Sequence, residues 1–549
     1  MVVARTPPAP CALRPAPWLV ALLAFAAIAH AQDCTTPGTA PCADVAALTA
    51  AEVDGIVRAA AGALNRPATI AVVDRTGRPL AVYRKAGASA SDDDQAIGVA
   101  RTAALFSNNQ APLSSRTVRF ISGVHFPPGV ENAPVAALYG IEQSNRGCDF
   151  GVLWNPGQCL PRARSLDGIV NDKPCNAGDA SGCGPGIVTG KVQPDDGPYP
   201  QTPFDRPVNA GGIPLYRALR VSGARLEEAR LVGGVGVIDG GGDSQLAEFA
   251  AVTGAFAPGF VPLPQYPLPE PQNVFIDGIR LPFLGPDQRL RFDGGSGLPN
   301  GLEQPDGTQP DSAAFDPARY VLAPANGGCA PDGYLAGPTA GTQLSAAAVD
   351  AIVQRAVAVA KRTRAIIRLP LNRYARMVIA VADVDGTILA IYRMPDATVF
   401  SIDVSVSKAQ NMARYGNNFP GLPAGTFVTA RTIGFGAQPL YPPGISAPPG
   451  PWFSLFLANL ATPCLGGTGI TFFPGSTPLV RNGALVGGLG VSGDGIDQDD
   501  YVTYNAAGDL LPPANKWADR LKVDGARLPM FKFPRHPEGV TECGGGPCS

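Results

Sequence analysis

The sequence predicts an α+β protein built from two tandem modules, each an antiparallel sheet with helices packed on it. The first observation behind this is a repeat. Residues 377–393 read MVIAVADVDGTILAIYR and residues 69–84 read TIAVVDRTGRPLAVYR. One gapless offset of 309 residues superposes Asp74 on Asp383, Gly77 on Gly386, Tyr83-Arg84 on Tyr392-Arg393, Asp94 on Asp403 and Asn108-Asn109 on Asn417-Asn418. The second is that apolar, β-branched runs come in pairs joined by tight turns, which makes neighbouring strands antiparallel. The third is that these pairs alternate with segments of helical spacing, in the order helix, two strands, helix, irregular segment, two strands, helix. Two copies in one chain are expected to form an intramolecular pseudo-dimer about a pseudo-two-fold axis, with the helices on one side of each sheet.

Taken in order, residues 1–31 carry Arg5 and Arg14, an apolar run over 18–28 and the A-x-A sequence Ala29-His30-Ala31. Such a run is too short to span a bilayer and reads as a secretory signal, so the expected mature chain begins near Gln32 and is periplasmic or extracellular. The first module is expected over 48–254. It opens with a helix whose Thr49 and Glu52 have capping-box spacing and whose Val53, Ile56, Val57, Ala60 and Leu64 recur at helical spacing. Asp74 starts a turn by accepting from its own backbone and Gly77 supplies positive φ, and Asp383 and Gly386 repeat this. Central helices are expected from Asp94 and Asp403, each with its acid at the positive end of the helix dipole. A Cys-, Gly- and Pro-rich insertion occupies about 149–209, after which each copy ends in the strands LVGGVGV (231–237) or LVGGLGV (485–491) and a short helix. A Pro/Gly-rich flank and linker fill 255–343, the second module covers 344–509, and a Pro-rich tail covers 510–549; DGIRLP (277–282) is echoed by DGARLP (524–529).

Composition excludes several classes of partner. Removing Arg5 and Arg14 from the 43 basic residues leaves 41 against 45 acids, a net of −4 with no Lys/Arg block, so neither nucleic acid nor an anionic membrane has an electrostatic footprint here. No later segment reaches the roughly 18 continuous apolar residues of a membrane span. Cys11 leaves with the leader. The ten remaining cysteines contain no C-x-x-C, which favours disulfides over a zinc ribbon. The duplication points to equivalent bridges, Cys329 to Cys464 and Cys34 or Cys42 to Cys148, with local loops such as Cys34 to Cys42 as the alternative.

Among motifs that carry chemistry, Gly488-Leu-Gly490-Val-Ser-Gly493 is a literal G-x-G-x-x-G. The Asp494, Asp497, Asp499 and Asp500 that follow would repel a pyrophosphate, so close strand packing is the better reading. Hydrolase triads lack support: the mature chain holds only His125 and His536, and no G-x-S-x-G occurs. His125, in VHFPPG, is a candidate iron ligand or a backbone-bonded histidine. Arg393 suits an ion pair or an anionic ligand, Met394 a soft axial ligand or packing, and Lys408, whose first-module counterpart is Val99, lies on the central helix.

With both copies aligned, the chain resembles the GlcG/HbpS-like haem-binding family. The resemblance rests on Leu344-Ser-x-x-x-Val, Ile379-Ala-Val-Ala-Asp-Val-Asp-Gly386, Tyr392-Arg-Met-Pro-Asp-Ala397, Ser401-Ile-Asp-Val-Ser-Val-Ser-Lys-Ala409 and Leu485-Val-Gly-Gly-Leu-Gly-Val-Ser-Gly493. It covers most of 344–507 and, more loosely, 48–252 outside the insertion. It implies a five-stranded antiparallel sheet, oligomerisation, and haem binding, with haem degradation or redox sensing in some members. The implied site gathers Arg393, Met394, Asp403, Lys408, Ser492 and Gly493, with His125 as the histidine that would have to reach it. Module one loses the lysine and has Lys85 in place of Met394, so module two is the expected site. The alternative is a disulfide-stapled scaffold or a small-metabolite binder.

Overall fold

The computed structural model describes residues 47–123, 138–141, 144–145, 148, 150–152, 154–155, 210–268, 275–276, 279–293, 295–323, 327–328, 330–444, 446–462 and 464–541. In the first module α1 (Ala50–Gly62) leads into β1 (Ala68–Asp74), β2 (Pro79–Arg84), α2 (Asp92–Phe106), α3 (Ser115–Gly123), β3 (Gly212–Ser222), β4 (Arg225–Asp239), α4 (Ser244–Ala255) and β5 (Phe260–Val261). The segment between the modules holds β6 (Tyr320–Leu322) and β7 (Gly333–Ala336). The second module runs α5 (Ala346–Ala360), β8 (Val378–Ala382), β9 (Ile388–Arg393), α6 (Ser401–Tyr415), α7 (Ala430–Gly436), α8 (Phe453–Ala461), β10 (Ser476–Arg481), β11 (Ala484–Ser492) and α9 (Ile496–Ala507).

The fold is α+β with antiparallel sheets, as the repeat predicts. The strand orders are β6-β2-β1-β4-β3-β5 and β7-β9-β8-β11-β10. Register is shared as well as order: Ala71 lies opposite Gly236 and its counterpart Ala380 opposite Gly490. The capping box of Thr49 and Glu52 forms, and Ser345 caps α5 without a carboxylate three residues on. Asp74 accepts from the backbone N–H groups of Thr76 and Arg78, closing its turn. The central helices begin two residues before Asp94 and Asp403.

The helices lie on both faces of each sheet rather than on one. A Cβ on Gly488 or Gly490 would come within 2.1 Å of the Ala409 or Ser405 carbonyl of α6, whereas the adjacent Gly487 faces Leu344 at the start of α5. Successive strand residues point to opposite faces, so α6 covers one face and α5 the other. Gly234 and Gly236 admit α2 in the same way, which explains the glycine motif as close helix–strand packing. The stretch that reads as connector supplies an edge strand to each sheet, Val321 pairing with Val82 and Tyr334 with Tyr392. Strands this short carry no readable alternation.

The modules share a core. Leu105, Phe106, Leu113 and Val118 of the first module belong to the apolar cluster of the second. The C-terminal end of α2 meets the N-terminal end of α6: the Phe106 and Phe400 rings stack at 3.9 Å, and the Val399 amide donates to the Leu105 carbonyl at 3.1 Å. The related positions do not meet, since Ser91 is exposed and Tyr415 packs on Phe419. The expected cysteine pairing is also corrected. Cys148 bonds Cys464, with the Cα atoms 5.6 Å apart, so the two equivalent cysteines bridge the modules. They can do so because the segments carrying them fold against each other, with Tyr139 of the first stacked on Phe456 of the second at 4.3 Å. Cys34, Cys42, Cys329, His125 and most of the insertion lie outside the described residues.

Candidate ligand-binding site

An ion pair common to both modules frames the site. Arg116 of α3 holds Glu248 of α4 at 2.6 Å, and Arg431 of α7 holds Asp500 of α9 at 2.5 Å. The same carboxylates accept from the Gly285 and Lys532 amides at 2.9 and 3.1 Å, while Thr117 and Thr432 donate to the Pro282 and Pro529 carbonyls. This gives the echoed DG-x-RLP flank its physical reason: in each module it docks on the arginine-carboxylate pair. Burial works against the Arg431 charge, but Asp500 and Asp497 hold its pKa above the ordinary guanidinium value.

Beside this frame in module two, a cavity of about 860 Å³ opens between the modules. Its walls are apolar, with Phe106, Leu113 and Ile121 from module one and Phe400, Phe473 and Ile367 from module two. Ser492, Gly493 and Asp499 supply polar floor, and Arg364, Lys532 and Arg535 stand on its lining as basic groups. The size falls within the roughly 300–1,000 Å³ of small-molecule and cofactor sites, and an apolar body with few polar groups is their usual composition.

Lys408 lies beneath the floor, fully buried, reaching from α6 to α9. Its ammonium donates to the Val491 carbonyl at 2.7 Å and to Asp499 at 3.0 Å, and stands 5.1 Å from the centre of the Phe473 ring. Burial lowers the Lys408 pKa, with Asp499 pulling in the opposite direction. Burial likewise raises Asp499 to about 7 despite Lys408, with Asp500 and Asp494 adding repulsion. The cavity therefore has a titratable carboxyl in its floor. Its second oxygen, Oδ1, has no hydrogen-bond partner among the described residues.

Residues 46–148 and 344–507 match the model of the family described as "Haem degrading protein HbpS-like". Both modules are thus similar to HbpS-like proteins, the first over residues 46–148. Among solved structures, a PduOC:heme complex is 23% identical, with 29% of this chain and 88% of that one covered at a TM-score of 0.20. Klebsiella pneumoniae protein ORFY is 24% identical, covering 29% and 86% with a TM-score of 0.20. A double mutant of Streptomyces reticuli HbpS is 20% identical, covering 31% and 90% with a TM-score of 0.21. No curated protein matches the chain.

The second HbpS-like module distributes the sequence-selected residues over several places. Ser492 and Gly493 line the cavity, with the Ser492 hydroxyl 3.1 Å from that of Ser401. Lys408 touches the cavity only through Asp499 and Phe473. Asp403 lines a separate small recess beside Ser407 and Asn145. Arg393 is buried away from the cavity, donating to the Ala330, Pro331 and Ala397 carbonyls and to Asp332. Met394 is buried, and its sulfur accepts the Met377 amide at 3.4 Å. Sequence reasoning did not single out Asp499 as a ligand-facing group, nor Phe106, Phe400, Ile367 or the tail residues of the lining. The one available signal was the coupled change between modules: where module two has Lys408 and Asp499, module one has Val99 and Ala247. Among the described residues no cluster of His, Cys, Asp and Glu could hold a metal ion, and no helix is long and apolar enough to cross a membrane.

Proposed function

We propose that the protein is exported and binds a tetrapyrrole of the haem class in the cavity between its two HbpS-like modules. The single observation that carries this is the cavity itself: apolar walls contributed by both modules, with basic residues on its lining. Phe106, Phe400 and Phe473 would hold the macrocycle face, and Arg364 and Arg535 suit its carboxylates. The match of both modules to a family described as haem degrading supports the reading. Of the side chains that ligate haem iron, His, Cys, Met and Tyr, the described lining contains none, so the fit is to the macrocycle and no iron ligand is assigned. If bound, haem would supply iron redox chemistry, and this chain's residues would contribute orientation and exclusion of water.

Titrating the purified protein with haemin and with metal-free protoporphyrin tests it. A saturable Soret shift is expected with both, and Ile366→Trp, which fills the cavity from its wall, should abolish it. No saturable shift at micromolar ligand, or a titration indifferent to Ile366→Trp, would reject the reading in favour of a structural or small-metabolite role. Adding ascorbate and oxygen to the haemin complex then separates binding from degradation, since only degradation bleaches the Soret band. Recovery of a chain starting near Gln32 outside the cytoplasm would support export.

A further inference from the structure

A second, chemically different cleft of about 640 Å³ lies between the modules on the Arg393 side. Its lining includes Arg75, Arg220, Arg230, Arg373, Arg376 and Arg393. Four carboxylates share this lining, and each is already engaged. Glu227 holds Arg220 and Glu228 holds Arg230, both at 2.7 Å, and Asp332 holds Arg393. Asp396 is divided between Arg376 at 3.1 Å and a seventh guanidinium, the fully buried Arg368, at 2.7 Å. Positive charge is therefore in excess.

Two of the arginines show this directly. Arg75, buried in the β1–β2 turn, donates to the Ala104 and Ser107 carbonyls rather than to a carboxylate. The buried Nε–H of Arg376 has no hydrogen-bond partner among the described residues. Burial, and then the charge of Arg393, pull the Arg75 pKa down to about 10. Arg373 is lowered by burial and by Arg376. Cations that depress one another in a partly desolvated cleft mark a place where an anion is favourable.

We infer that this cleft binds a small organic di- or tricarboxylate, held by guanidiniums from both modules. Guanidinium forks match carboxylates bidentately. The arginines come from separate places, the β1–β2 turn, the β3–β4 hairpin and the segments flanking β8 and β9 of module two, which suits a ligand with spaced carboxylates. Guanidiniums grip phosphate as well, so the choice of a carboxylate rests on that spacing. The repeat does not reproduce the cleft: Arg376 and Asp396 correspond to Pro67 and Gly87, and Arg84, the counterpart of Arg393, pairs with Asp93 instead. It is a property of the two-module chain, separate from the apolar cavity and independent of whether that cavity takes a tetrapyrrole.

Calorimetric titration of the full chain with citrate, succinate and inorganic phosphate, at ionic strength matched with chloride, tests the assignment. The expected result is saturable binding of citrate or succinate that Arg376→Gln weakens about tenfold or more, the equivalent of one charge-assisted hydrogen bond. Arg520→Gln, on the remote surface, should bind as wild type. If circular dichroism shows Arg376→Gln unfolded, the more exposed Arg230→Gln takes its place with the same expectation. Absence of saturable binding by both carboxylates overturns the inference, as does phosphate binding as tightly as they do. Carboxylate binding unchanged in the folded variant overturns it too.

Discussion

The central helices α2 and α6 have the same length and cross their sheets over equivalent glycines, yet they differ at one buried position each shares with the last helix of its module. Module one buries Val99 on α2 and Ala247 on its last helix. Module two buries Lys408 on α6 against Asp499, and Ser401, Ser405, Ser407, Gln410 and Asn411 are buried with it. Both members of the ion pair are present in one module and both are absent from the other. A buried charge without its partner is far costlier than either the complete pair or none. The comparison teaches that the backbone frame is kept in both copies, while this buried charge pair is present or absent as a unit.

The sharpest way to break the comparison is to write module one's residues into module two singly. Lys408→Val alone should destabilise by up to about 5 kcal/mol because it strands Asp499, whereas Lys408→Val with Asp499→Ala should return to within about 1 kcal/mol of wild type. Denaturant unfolding of both variants reads this, and an additive double variant would show that the residues do not act as a pair. The shared frame predicts the opposite pattern. Arg116→Gln and Arg431→Gln should each cost about 3 kcal/mol by leaving a buried carboxylate uncompensated, with similar losses in the two modules. A large inequality would mean that the frame is held differently in the two copies.

The bridge between the modules ranks next. Cys464→Ser should cost about 2–3 kcal/mol, and peptide mapping without reduction should recover Cys148 joined to Cys464. A Cys329–Cys464 peptide instead would return each module to its own bridge. The remaining comparison is a pH slope. The Asp499 pKa is raised to about 7 in the folded state, above the roughly 3.9 of an unfolded aspartate. In between, the folded protein holds a proton that the unfolded chain has released, so this group's contribution is complete below the unfolded value and fades as pH rises through about 7. Stability measured from pH 4 to 8 should show that decline in wild type and not in Asp499→Asn; an identical slope in both would assign the titration elsewhere.

Much of the fold was legible because it rests on local rules applied twice. Turn chemistry at Asp74 and Asp383, the Thr49 capping box, apolar periodicity and glycines spaced for helix packing are written within a few residues of where they act. Most of these recur in the second copy, the capping box excepted. The candidate site was less legible because its members are remote in the chain: Phe106, Phe400, Phe473, Asp499 and Lys532 come together only when two modules and the C-terminal tail pack. Arg393 had the right chemistry for an anion, yet folding turned it to the arginine-rich cleft, since its strand end is closed by the segment carrying Asp332.

By itself, then, the sequence determined the α+β class, the duplication, the antiparallel hairpins and the modules' resemblance to a haem-associated family. Each of these depends on backbone geometry and on patterns shared by two copies. Only the tertiary structure decided that helices cover both faces, that the connector supplies two edge strands, and that Cys148 meets Cys464. It alone separated an apolar cavity from an arginine-lined cleft. Those features depend on which surfaces of the two modules meet, and that contact leaves no periodic trace in either copy.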